Sequence, residues 1–313
     1  MSAAFTCFLF DNGSFRAEST LMLRALAGRL TGRLGYEVRA VSLLHSTRVP
    51  AEALGGEKAE LLEPAMDAWF TANPEGRALL LPLFFGASGA LVDYIPERIV
   101  ALHARHPGVR TVLAAPLVRP DETPSELAAI LADRVRAVIA ESGWVRPKVV
   151  LCDHGTPLAA VSAVREQLGQ LLASRLSDEV EKTCVASMER KEGDAYAFNE
   201  PLLASCLSSP PFSEGQVVVA LQFLSPGRHA GPGGDVATIC EAAQSKASEE
   251  GRRLHTAMTA PIADDIRLVE LLARRAGPAL AALLAVDEKR WKNLGIFSDP
   301  NGSGSARSPA SNG

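Results

Sequence analysis

No apolar run in this sequence reaches the length that a membrane-spanning helix needs. The longest, "ALLLPLFFGASGALV", is broken by proline and glycine and falls short of the roughly 20 residues required. The amino terminus, "MSAAFTCFLFDNGS", lacks a basic leader region, and its apolar part is only strand-length, so no signal peptide is expected. Charge of one sign is also missing. A net charge of −4 leaves no electrostatic footprint for nucleic acid or an anionic membrane surface. Cysteine is sparse: five residues, scattered, with no CxxC pair. An odd count without a framework argues against a secreted disulfide scaffold and for a reducing, cytoplasmic setting. The phosphate-cradling patterns GxxxxGK[ST] and GxGxxG after a strand are absent, and "GASGA" lacks the spacing of a nucleophile elbow.

What remains is a globular composition, 47% apolar and 22% charged, in a chain of 313 residues. That is long enough for one large or two ordinary domains. Short continuous apolar runs alternate with helical patterns. The strand candidates are residues 5–10, 37–43, 78–84, 111–115, 148–152, 179–186, 216–223 and 254–257. Continuous Val/Leu/Phe runs are those of strands buried on both faces, as in a parallel sheet. Helical spacing covers 17–34, 91–106, 125–142, 158–176, 235–250 and 264–284. The alternation predicts an α/β protein built of βαβ units.

The order also repeats. "LFDNGS" (9–14) and "LCDHGTP" (151–157) are each an apolar run, an Asp, a variable residue, a Gly and a hydroxyl residue. "LPLFFGASGALVDYIPE" (81–97) and "ALQFLSPGRHAGPGGDVATI" (220–239) form a second pair of blocks. The expectation is two similar three-layer αβα domains with parallel sheets, related by a pseudo-twofold axis. They would cover residues 1–144 and 145–284, with a ligand cleft between halves. Residues 285–313 end in "SDPNGSGSARSPASNG", the composition of a disordered tail.

The halves differ where chemistry would lie. His154 stands where the first half has Asn12, and aligning Phe84 with Phe223 puts His229 opposite Ala90. Ligands of parallel α/β sheets bind beyond the carboxyl ends of the strands, so both histidines belong on one edge of the second domain. Glu189, in "VASMERKEG", follows the neighbouring strand. Two imidazoles and a carboxylate suit a divalent first-row metal with open positions, and a neutral imidazole also accepts protons. Each has a plainer reading. A single histidine beside a Gly-rich turn is commonly a loop residue, and Glu189 fits a solvated charged loop equally well. It is the pairing of His154 with His229, and its absence from the sister half, that favours function. Arg228 is a candidate for binding a substrate carboxylate, with Gly227 and Thr156 beside the two histidines as further substrate-binding candidates. Asp153, whose counterpart Asp11 persists in the first half, and Gly155 read as turn structure. Cys152 reads as core.

These blocks resemble the class II chelatases of tetrapyrrole biosynthesis, the sirohydrochlorin cobalto- and ferrochelatases. "DHGTP" and "DNGS" are similar to that family's "GHGS", and "FLSPGRH" to its second His-bearing turn. "VRTVLAAPL" (109–117) and "LHTAMTAPI" (254–262) are similar to the strand that follows. The resemblance spans most of residues 5–280. It implies that His154 and His229 ligate the metal and that Glu189 acts with them at the insertion site. The implied reaction inserts Co²⁺ or Fe²⁺, as metal substrate, into a planar acid-bearing tetrapyrrole, with no organic cofactor. The small molecule and the metal ion would be the partners, without nucleic acid or membrane, in a chain whose halves mimic a dimer. Asp before His154 and "AGPGGDVATI" after His229 depart from the family pattern. Two rivals remain: a non-catalytic tetrapyrrole or metal carrier on the same fold, and a phosphatase-like hydrolase using His154, which would want an Arg cluster for the phosphate.

Overall fold

A computed structural model describes residues 4–285. All but one residue of the stretch read as a tail therefore lies outside the described residues. The chain forms two four-stranded parallel sheets. The first contains β1 (Phe5–Asp11), β2 (Val38–Ser42), β3 (Arg77–Pro82) and β4 (Arg110–Leu113) in the order β2-β1-β3-β4. The second contains β5 (Lys148–Asp153), β6 (Thr183–Ser187), β7 (Gly215–Leu221) and β8 (Leu254–Met258) in the order β6-β5-β7-β8. Each strand coincides with an apolar run, and every residue of β5 is buried. In each sheet the first strand lies between the second and third, so the chain reverses its direction of winding beside β1 and beside β5. In open parallel sheets such a reversal opens a ligand crevice at the strands' carboxyl ends.

Helices cover both faces of each sheet. The helix α1 (Ala17–Leu34) buries Leu23, Leu26 and Leu30 on a single stripe. The helices α2 (Leu62–Ala72) and α3 (Ile95–Arg105) supply Met66, Phe70, Ile95, Ile99 and Leu102 to a core with Phe8, Phe10 and Leu80. A π-helical turn at Ala90–Tyr94 leads into α3, where the sequence pattern ran on as a single helix. In the second sheet, α6 (Leu203–Leu207) and α7 (Asp235–Glu249) pack on Val150, Cys152, Val217 and Val219. The helices α4 (Ser125–Ser142) and α5 (Ala159–Arg175) pack on each other, α4 also against β7 and α5 against β5 and β6. The helices α2 and α6, one after the second strand of each sheet, lie outside the stretches that helical spacing marks.

Compactness divides the described chain into residues 4–122 with 269–285, and residues 123–268. This is a different partition from the sequence repeat, which turns over at 144/145. In the compact division α4, which closes the first repeat, belongs with the second sheet. There Arg134 meets Asp264 at 2.5 Å and Arg136 grips Glu179 at 2.7 Å. Most of α8 (Ile266–Ala285) belongs with the first sheet. Its Arg275 donates to the carbonyl oxygens of Pro116 and Leu117, at 2.9 and 2.7 Å. Among the described residues, no helix is long and apolar enough to cross a membrane.

The turn after the first strand of each sheet is built twice on one plan. Gly13 and Gly155 adopt φ +87° and +92°. A Cβ at Gly155 would stand 1.9 Å from the Glu189 carbonyl oxygen, and one at Gly13 would stand 1.7 Å from that of Leu44. Only glycine fits either place. The aspartate before each turn fares differently. Asp153 is buried, yet Ser187 donates to its Oδ1 at 2.6 Å and the Arg165 guanidinium lies 3.6 Å away. Burial raises its pKa, and Ser187 and Arg165 act against that rise. In α1, at the same remove from its aspartate, stands Leu23. Asp11 therefore keeps no buried cation, its Oδ1 is sealed without a hydrogen-bond partner, and burial lifts its pKa to about 6 despite Ser42 and Gly13.

The folded state thus holds the Asp11 proton more tightly than the unfolded chain, whose aspartate titrates near about 3.9. Stability then falls as pH rises from about 4 to about 6, and the full cost persists above that window. Asp11→Asn removes this dependence. Denaturant unfolding across that range is expected to show the variant gaining on the wild type by about 3 kcal/mol by pH 7. A pH-independent difference between the two proteins would refute it.

Candidate metal centre

Three strands of the second sheet deliver the site. His154 follows the central strand β5, Glu189 follows β6 on one side, and His229 follows β7 on the other. Backbone pairing carries the register past the strand ends: Met188 N–H donates to the Asp153 carbonyl at 2.8 Å, and Glu189 N–H to that of His154 at 3.2 Å. This holds Glu189 beside His154, and the two side chains approach to 3.5 Å between Nε2 and Oε1. The same bonds recur in the first half, from Leu43 to Asp11 and from Leu44 to Asn12, at 2.9 and 3.1 Å. Leu44 is thus the counterpart of Glu189. Ile262 N–H donates to Phe223 and Leu117 N–H to Phe84, which fixes the alignment that places Ala90 opposite His229. Asn12, Leu44 and Ala90 leave the first half with none of the three candidate groups.

The imidazoles of His154 and His229 are neighbours, ring centroids 4.6 Å apart and planes at 75°. Each commits one nitrogen locally. His229 Nδ1 lies 2.6 Å from Asp235 Oδ2, and His154 Nδ1 lies 3.1 Å from the carbonyl oxygen of Gly155. Both partners are acceptors, so both Nδ1 atoms donate, and in the neutral rings both Nε2 atoms keep their lone pairs. His154 Nε2 therefore faces the Glu189 carboxylate as one acceptor facing another. Two acceptors 3.5 Å apart call for a cation between them, a proton or a metal ion. Both side chains are open to solvent, 46% and 62% exposed, so a ligand reaches them without rearrangement of the core. Among the described residues, no three His, Cys, Asp or Glu side chains are placed together so as to hold a metal ion. The arrangement is a two-histidine edge with Glu189 beside it, rather than an enclosed cage.

The remaining candidates serve in varied ways. The Thr156 backbone is pinned at both ends by the buried Asn199: its N–H donates to Oδ1 at 2.9 Å, and its carbonyl accepts from Nδ2 at 2.9 Å. Its hydroxyl accepts from the N–H of Leu158, at 3.2 Å. Gly227 donates its N–H to Ala230 at 3.0 Å, closing the turn that carries His229. Arg228 is 72% exposed, with Nε 3.6 Å from Asp235. Asp153 and Gly155 serve the turn, and Cys152 is core.

Two residues escaped the sequence reading. Asp235, the first residue of α7, orients His229 and faces Arg228; its signal is a carboxylate at the end of the Gly-rich block that bears the histidine. Arg165 is fully buried. It donates to the Ser187 hydroxyl, to the Asn199 carbonyl at 3.2 Å and to the Phe198 carbonyl at 3.0 Å, and pairs with Glu166 at 2.7 Å. It thereby links the Asp153 turn to the segment that holds Thr156. Its signal is a charge in α5 where α1 has Leu23.

With that geometry fixed, solved structures can be set beside it. SirB from Bacillus subtilis, with Fe³⁺, superposes with a TM-score of 0.61 over 89% of this chain and 97% of its own, at 14% identity. CbiX, described as the terminal enzyme of siroheme biosynthesis in denitrifying bacteria, gives 0.54 over 90% and 100% at 16% identity. DR2241 from Deinococcus radiodurans, described as structurally similar to chelatases with two additional domains, gives 0.54 over 88% and 55% at 17% identity. This chain has the class II chelatase fold. That fold accounts for the two four-stranded parallel sheets with flanking helices. No family model matches the sequence, and no curated protein matches it. At these identities the likeness is one of fold.

Proposed function

We propose that the second half inserts a divalent metal, Co²⁺ or Fe²⁺, into sirohydrochlorin or a related tetrapyrrole. The observation that carries this is the pair of imidazoles 4.6 Å apart, each with Nδ1 tied to a local acceptor and Nε2 left free, beside Glu189 and on the chelatase fold. The metal ion is a substrate. His154 and His229 hold it through Nε2, and the exposed edge lets it leave toward the macrocycle. Insertion exchanges two pyrrole N–H protons for the metal. Glu189 and the imidazoles, once the metal has passed on, are the groups placed to take those protons. Bending the macrocycle to expose its nitrogens is a cost met by substrate binding, with Arg228 available for a peripheral carboxylate.

The Asp235 carboxylate fixes the tautomer of His229 and strengthens Nε2 as a donor. Asp235→Asn is expected to weaken Co²⁺ binding by about 10–100-fold with little change in Tm. Unchanged affinity in calorimetric titration would show that Asp235 serves only the start of the helix. The direct functional test is anaerobic incubation with sirohydrochlorin and Co²⁺ or Fe²⁺, followed by absorption spectroscopy. Conversion to the metalated spectrum at a rate proportional to protein is the expected result. Binding of the tetrapyrrole and the metal without conversion would make the protein a carrier instead.

A further inference from the structure

Four of the five cysteines, widely separated in sequence, gather around one face of the second sheet. Cys152, Cys206 and Cys240 lie in the core there, with Cys184 packed against it. Two of them do more than pack. Cys184 Sγ on β6 and Cys206 Sγ on α6 lie 3.2 Å apart. Two thiols in ordinary packing contact stand farther apart than this; the separation is that of an S–H···S hydrogen bond. A disulfide needs the sulfurs at about 2.05 Å, so closure asks for a movement of little more than 1 Å. Cys184 is on the edge strand of its sheet and is partly exposed, whereas Cys206 is buried. One sulfur can therefore meet a reagent and the other can only meet its neighbour. That is the asymmetry of an attacking and a resolving thiol. The two thiols share one hydrogen bond, which Cys184 donates: it draws the Cys206 thiol below its ordinary pKa and, with burial, raises that of Cys184.

We infer that Cys184 and Cys206 form a redox modification site, closing to an intramolecular disulfide by exchange with a small organic disulfide such as oxidised glutathione. The partly exposed Cys184 thiol first gives up its proton to solvent, and its thiolate attacks one sulfur of the reagent. A protein–reagent mixed disulfide forms, and the first thiolate of the reagent leaves. Cys206 then gives up its proton and attacks Cys184 Sγ, and the second thiolate leaves. Two protein thiols and one organic disulfide become one protein disulfide and two small thiols, the two protons passing to the leaving thiolates. The bond closes the chain between β6 and α6. The closed segment contains Ser187, which donates to Asp153, and Asn199, which pins Thr156. It also contains Glu189. Oxidation thus tethers the segment that supplies the carboxylate side of the site, and reduction frees it. The bond itself does not depend on the proposed metal chemistry.

The test is thiol counting and peptide mapping of the folded full chain before and after treatment with oxidised glutathione. Wild type is expected to fall from five titratable thiols under denaturing conditions to three. A peptide pair joining Cys184 to Cys206 should appear under non-reducing conditions and vanish with dithiothreitol. Cys184→Ser, a change on a partly exposed edge strand, should keep all four of its thiols under the same treatment, since Cys206 alone is shielded. Five thiols surviving in the wild type, a stable mixed disulfide on Cys184 that never resolves, or a crosslink between Cys152 and Cys240 would each overturn the assignment.

Discussion

Removing either imidazole, in His154→Ala or His229→Ala, is expected to lower the anaerobic rate of metal insertion by more than about 100-fold while leaving the circular dichroism spectrum unchanged. Both residues sit on loops beyond the strand ends, and His154 is 46% exposed. Neither removal opens a cavity in the core. What is lost is a nitrogen donor whose partner stands one ring away, and a lone histidine has no second site of equal strength to fall back on. Asn12→Ala is the control. Its residue occupies the matching turn of the first half, but with Leu44 and Ala90 in place of Glu189 and His229 it has no ligand set to lose. Its rate should stay within about threefold of wild type, any loss appearing in KM through the turn or substrate contact. An Asn12→Ala variant as inactive as His154→Ala would mean that both halves act on the metal.

The largest expected effect on stability belongs to Arg165. It is fully buried and spans the Ser187 hydroxyl, two backbone carbonyls and the Glu166 carboxylate, with Asp153 at 3.6 Å. Arg165→Leu copies the residue that the first half already has in Leu23. In the second half it strands a buried aspartate and two carbonyl acceptors. Breaking a buried pair from one side costs about 3–5 kcal/mol, and the melting temperature should fall by roughly 10 °C. Asp153→Asn in the same background should restore part of this, because a neutral side chain no longer needs the cation. The double-mutant cycle separates the charge contribution from the packing loss. A loss below about 1 kcal/mol in Arg165→Leu would show that water reaches Asp153 and that the network is ornamental.

The first half already illustrates that single change. Asp11 has kept its place without an arginine, and its pKa has risen to about 6. A duplicated unit that no longer needs to position a histidine tolerates such a carboxylate; one that still carries His154 keeps its turn rigid through Arg165 and Asn199.

Much of this was legible in the sequence because buried parallel strands write themselves plainly. All eight strands overlap the predicted positions, most of which are continuous apolar runs, and α1 and α4 run between the residues that the helical spacing marks. The nearness of His154, His229 and Glu189 was legible for a similar reason: two copies of one turn, set side by side, differ at the histidine, and strand order brings the three residues to one edge. What stayed hidden depends on distance in the fold rather than pattern in the chain. Cys184 and Cys206 look unrelated until β6 and α6 bring them together. Asp235 reads as a helix-start acid until the Gly-rich loop folds His229 back against it. Arg165 sits at a helical position where a charge would ordinarily be solvated, and only the buried Asp153 and Ser187 explain it. The exchange of α4 and α8 between compact units is likewise invisible to periodicity, which records the order of elements and not which sheet a helix packs on.

The central claim is that one half of a duplicated chain keeps a metal site and the other has lost it. Equilibrium titration with Co²⁺ under anaerobic conditions tests it most directly, read by the ligand-field absorption of the bound ion. One ion per chain is expected, lost in His154→Ala and in His229→Ala and retained in Asn12→Ala. Two ions per chain, or one that survives in the His154→Ala/His229→Ala double variant, would contradict it.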